Sequence, residues 1–153
     1  MSQKSPSLGQ IVRAFVGAIR ATLTGKPPPT PIDALASTFP QTAGWMRGTL
    51  ALIDEATTHI TQHNLDRPAY RVHIEGRDYT LVTILEGVRF HASQEYPHLL
   101  RNEPAYARLA IQASNLNDQF RVTRAAEGLD LSDETRALLH RLAAHLAAIP
   151  SDS

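Results

Sequence analysis

The chain has 153 residues, a formal net charge of zero, 20% charged and 6% aromatic residues, and no cysteine. A single domain of this size buries roughly two-thirds of its unfolded surface, and the near-average composition excludes wholesale disorder, a collagen-like repeat and a disulfide scaffold. Lack of cysteine removes thiolate nucleophiles and Cys-ligated metal centres, and a neutral chain lacks the broad positive field that phosphate backbones require, so a nucleic-acid partner is not expected.

Residues 1–7 are polar, with Ser7 placed to cap a helix running from Leu8 to about Thr24. Leu8, Ile11, Val12, Phe15, Val16, Ile19 and Leu23 share one arc of that helix, with Arg13 and Arg20 flanking it and Gly25 at its end. Lys4, Arg13, Arg20 and Lys26 fall within residues 1–32 without an acid, so the rest of the chain is net acidic. Two readings compete: a core helix with solvated arginines, or a basic amphipathic helix that docks on a partner protein or an anionic membrane surface. Lys26 to Pro31, KPPPTP, reads as an extended polyproline spacer, since each ring fixes φ and removes a donor. The organisation expected is an N-terminal helix and linker over residues 1–31, then a helical bundle over 32–153.

Ile32 to Phe39 suits a short helical turn, interrupted by Pro40. Thr42 to Asn64 has helical period, with Met46, Leu50, Ile53, Thr57 and Ile60 as its inner stripe, Trp45, Leu52 and Ala56 widening it, and Asn64 as the stop. Tyr70 to Leu85 reads as a hairpin about Glu75-Gly76-Arg77-Asp78, pairing Ile74 with Tyr79 and Val72 with Leu81, and handing over near Thr80 to a helix from Leu81 to Gln94. Leu81, Ile84, Leu85, Val88 and Ala92 form the stripe of that helix. Pro97 and Pro104 break the pattern, so Glu95 to Glu103 is expected to be a connection.

Pro104 to Ala126 carries the clearest period of the chain. Tyr106, Leu109, Ala113, Leu116 and Phe120 recur at steps of three and four, predicting that this stripe packs into the bundle while Asn115 and Asp118 lie on other faces. Gly128 closes that helix. Ser132 caps the last one, Asp133 and Glu134 suit its positive end, and Leu138, Leu139, Leu142, Ala143 and Leu146 face inward.

Signals for chemistry are few. Glu55, His59 and His63, at i, i+4 and i+8, place three ligands suited to zinc or iron along one helix edge. Glu95 and His98 have the Glu-x-x-His spacing of carboxylate-bridged di-metal bundles, but Pro97 stands between them. Arg136 with His140 and Arg141 with His145 are combinations that serve phosphoester cleavage. Phosphate-binding glycine loops and the G-x-S-x-G elbow are absent.

The fold class is therefore mainly α: an irregular bundle of four or five helices with a short hairpin around residues 70–80. The leading functional expectation is a non-enzymatic accessory or adaptor subunit that docks through Leu8 to Leu23 on a partner protein, on another copy of itself, or peripherally on a membrane. A metal-binding bundle using Glu55, His59 and His63 is the second expectation, with no other cofactor, and an Arg/His phosphoesterase the third. No stretch approaches the 18 or so apolar residues of a membrane span, and no secretory signal pattern opens the chain, so the cytoplasm is the expected compartment.

Overall fold

A computed structural model describes residues 28–152. The expected helix from Leu8 to Thr24, with its partner-binding residues, lies outside the described residues. Of the proline-rich stretch, Pro28 to Thr30 is exposed and without regular structure. The chain divides after Thr30, and the fold belongs to the unit that begins at Pro31.

That unit is a mainly helical bundle carrying one two-stranded antiparallel hairpin. After a 3-10 turn at Asp33–Leu35 come helix α1 (Pro40–Gln62), strands β1 (Val72–Ile74) and β2 (Arg77–Tyr79), and helices α2 (Leu81–Phe90), α3 (Tyr96–Asn102), α4 (Pro104–Gly128) and α5 (Asp133–Ala147). α4 packs along α5 and against α2 and α3, while α1 closes the bundle against α2 and α5.

Pro40 begins α1 instead of interrupting the chain ahead of it, because a first-turn residue has no intrahelical use for its missing N–H. Phe39 supplies no side-chain cap. The Asp152 carboxylate does so from the far end of the chain, accepting from Gln41 N–H (3.0 Å), Thr42 N–H (2.7 Å) and the Thr42 hydroxyl (2.5 Å). At the other end Asn64 adopts φ 52°, with Leu65 N–H donating to the Ile60 carbonyl and Asn64 N–H to that of Thr61. This is the left-handed stop that asparagine tolerates. Trp45, Met46, Ile53, Ala56 and Ile60 are buried as expected, whereas Leu50 and Thr57 are only half-buried.

The hairpin is present in a tighter register than expected. Val72 pairs with Tyr79 and Ile74 with Arg77, across a two-residue turn at Glu75 (φ 52°) and Gly76 (φ 80°). Positive φ at both turn residues matches the right-handed twist of the strands, which a four-residue loop at this site would not secure.

Leu81, Ile84, Leu85 and Val88 of α2, and Ala92 just beyond it, are buried as the stripe predicts, and Thr80 caps α2 by accepting from Thr83 N–H. It does not end at Gln94. A π-helical turn at His91–Glu95 carries it straight into α3, with Pro97 buried in the first turn of α3. The wider ring just ahead of the proline relieves the crowding that a regular helix suffers at the carbonyl four residues back, so the expected break becomes a continuous rod.

The largest departure is in α4. Its buried positions are Ala107, Ile111, Asn115, Asp118, Val122, Ala125 and Ala126. Tyr106, Leu109, Leu116 and Phe120, expected inside, are 73%, 70%, 61% and 53% exposed, and Ala113 is exposed beside them. Small residues on the inner face let α5 approach closely, and the two polar residues there are used in bonding. Ser132 caps α5 through Thr135 N–H, and Leu138, Leu139, Leu142, Ala143 and Leu146 are buried against α4 and α1.

Candidate functional site

The inner face of α4 carries a polar cluster where it meets the π-helical turn. Asp118 is 1% exposed, and its Oδ2 lies 2.8 Å from His91 Nδ1 and accepts the Tyr96 hydroxyl at 3.1 Å. The π turn matters here because one extra residue in the turn rotates the chain between His91 and Tyr96, which brings both side chains onto one carboxylate. Trp45 stacks on Tyr96, at 6.1 Å between ring centres, and seals the cluster from α1. The hydrogen bond to Asp118 raises the His91 pKa above its ordinary value, more than burial lowers it, with the charges of Asp118 and Glu95 adding to the rise. Burial, then the negative charge of Asp118, pushes the Tyr96 hydroxyl far up, so it serves as a permanent donor.

Fixing Nδ1 on Asp118 leaves His91 Nε2 facing Glu95, 3.9 Å from Oε2. At that distance Glu95 acts on the imidazole through its charge and not through a hydrogen bond. The cluster also takes in the Ser114 hydroxyl, which donates to Glu95 Oε1 (3.5 Å). Its evident work is to lock α2, α3 and α4 together. Nearby, Asn115 donates its side-chain amide to the Leu146 carbonyl, one of the carbonyls that the end of α5 leaves unpaired.

Of the sequence-expected ligands, Glu55 and His59 line a cleft of about 640 Å³ between α1 and α5, together with Asp54, Glu134 and Arg141 among others, and His63 lies outside it. Each is turned to another partner. Glu55 is ion-paired with Arg141, His59 Nε2 lies 2.7 Å from Thr135 Oγ1, and His63, on the exposed edge of α1, donates Nδ1–H to the His59 carbonyl at 2.8 Å. Among the described residues no group of three or more His, Asp or Glu side chains stands close enough to hold a metal ion. Glu95 lies near His91 and accepts from Ser114, while His98 bonds Asn102. Of the Arg/His pairs, Arg136 donates to the Ala126 and Leu131 carbonyls and Arg141 to Glu55, while His145 exchanges bonds with Trp45.

Among the described residues, the outward face of α4 holds four of the five large apolar side chains that stand exposed, Phe90 being the other. Tyr106, Leu109, Ala113, Leu116 and Phe120 follow the a/d positions of a heptad, a narrow seam of the kind one helix offers another. It spans about 21 Å at 1.5 Å per residue. Ala105, Ala110, Gln112, Asn117 and Gln119 flank it, so no charge borders its central part. Among the described residues no helix is long and apolar enough to cross a membrane. Compared with models of known protein families, with characterised proteins and with solved structures, the chain matches none.

Proposed function

We propose that this protein is a non-enzymatic docking module that binds a partner helix along the outward seam of α4. The observation that carries this reading is the exposure of four large apolar side chains in heptad register on a helix whose opposite face is already bonded into the core. Such a row costs solubility in a free protein, and apolar patches beyond a few hundred Å² mark interaction surfaces. A flat apolar patch would suit many partners, but a seam one residue wide, with steps of three and four, selects a helix by knobs-into-holes packing. The role agrees in class with the accessory or adaptor subunit expected from the sequence, with the contact moved to α4.

The test places a photo-crosslinking residue at Leu109 or Leu116 in cells that make the full chain, with Arg101 as an exposed control outside the seam. The expected result is an adduct of one defined mass from both seam positions and none from Arg101, weakened when the neighbouring seam leucine becomes Gln. Absence of any adduct from either seam position overturns the proposal.

A further inference from the structure

We infer that the seam is filled by a second copy of this chain, its α4 running antiparallel to the first about a two-fold axis. This rests on the docking reading and names its occupant. Three features of α4 favour self-pairing.

The first is shape. With the axis between Ser114 and Asn115, Leu109 meets Phe120 of the second copy, Ala113 meets Leu116, and Tyr106 meets Thr123, each contact made twice by symmetry. Small Ala113 lies against the larger Leu116, and the largest pairings fall outside this central layer, so two helices 8–10 Å apart fill the seam without a gap at its middle.

The second is charge. The uncharged flanks, Ala110 beside Asn117 and Gln112 beside Gln119, place no like charges together. Glu103 just before the helix and Arg124 near its end occupy the same flanking position of the heptad, three heptads apart. Neither makes an ion pair among the described residues, and both are exposed. Antiparallel pairing sets Glu103 of each copy beside Arg124 of the other. A parallel pair would set Arg124 beside Gln119 of the other copy and would form neither ion pair.

The third is area. Taking side chains that hide on the order of 150–250 Å² when fully covered as the aromatic scale, the seam amounts to roughly 500–600 Å² per copy. A symmetric pair then removes roughly 1,000–1,200 Å², at the small end of specific interfaces. A reversible dimer is the expected state.

The experiment uses the full chain and exploits its lack of cysteine. Sedimentation equilibrium from about 1 µM to about 200 µM brackets the weak range of so small an interface. It should show a one-chain species passing to a two-chain species. Under mild oxidation, Ala113→Cys chains mixed with Leu116→Cys chains should form a disulfide-linked heterodimer, and neither variant alone should do so. Arg124→Glu should weaken the dimer by about two- to thirty-fold, the range of the two exposed ion pairs it removes, and Glu103→Arg added to it should restore the association. One-chain mass over the whole concentration range overturns the inference, as does crosslinking of Ala113→Cys with itself, which would mean parallel helices. If the purified chain stays at one-chain mass while seam photo-crosslinks in cells reach a different protein, only this inference fails. If the seam gives no adduct at all, the docking reading fails with it.

Discussion

Replacing Asp118 by Asn keeps the shape of the side chain and removes its charge, which makes it a sharp probe of the cluster that orients α4. The Tyr96 hydroxyl still has an oxygen to donate to, whereas His91 loses a charged acceptor. Hydrogen bonds to charged groups contribute about 1.5–3 kcal/mol and neutral ones about 0.5–1.5, so the variant should lose about 1–2 kcal/mol. Truncation to Ala would strand both donors and cost more, about 3–5 kcal/mol by analogy with broken buried ion pairs. The loss depends on pH. The folded pKa of His91 is raised above its ordinary 6.5. Its contribution is therefore present in full below about 6.5 and is lost as pH rises through the folded value. Urea unfolding of both proteins from pH 5.5 to pH 9 should show the largest gap at the acid end, closing toward the alkaline end. Nitrogen-15 NMR of the imidazole should find His91 titrating above the ordinary value in the parent and returning toward it in Asp118→Asn. An imidazole that titrates at or below the ordinary value, or a gap that widens with rising pH, would refute the assignment of Asp118 as its ionised partner.

Two further outcomes follow from single contacts. A Cβ at Gly48 would sit 2.8 Å from His145 Cε1 and 3.2 Å from Nε2, the atom that bonds the Trp45 carbonyl; Ala brings up to about 1 kcal/mol of helix propensity against an overpacking cost of about 1–3 kcal/mol and the strained bond. Gly48→Ala should thus unfold at lower urea, by about 1–2 kcal/mol when both are weighed, and a stabilised variant would contradict the Trp45–His145 clasp. Asp152→Ala should cost about 0.5–2 kcal/mol as the loss of a helix cap. Desolvation pushes the Asp152 pKa up, but bonds from Thr42 and Gln41 hold it below its ordinary 3.8. That stability is present above about 3.8 and lost as pH falls through the folded value, so acid unfolding curves of parent and variant should converge there.

Much of the architecture was legible in the sequence. The stripe of α2, the Ser132 cap, the inward leucines of α5 and the Asn64 stop each depend on local chemistry with one answer. Register in the hairpin was less so, because Glu75 in a left-handed conformation is chosen by strand twist and not by its own preference. Pro97 misled for the opposite reason: its penalty is real, and the π turn before it absorbs the cost. The face of α4 was misread because periodicity counts bulk, and the bulkier of its two stripes points outward. Asn115 and Asp118 lie in line with Ile111 and Val122, yet polar residues pass as core only once their partners are known. Those partners, His91, Tyr96 and the Leu146 carbonyl, are brought near by the fold alone.

Hydroxyl-radical footprinting of the full chain at submicromolar concentration tests the orientation of α4 most directly, since every residue in question is read in one digest. Tyr106, Leu109, Leu116 and Phe120 should oxidise at rates close to those of the unfolded chain, while Ile111, Val122 and Tyr96 stay protected. Protection of the first set with oxidation of the second would put the seam inside the protein and remove the docking surface.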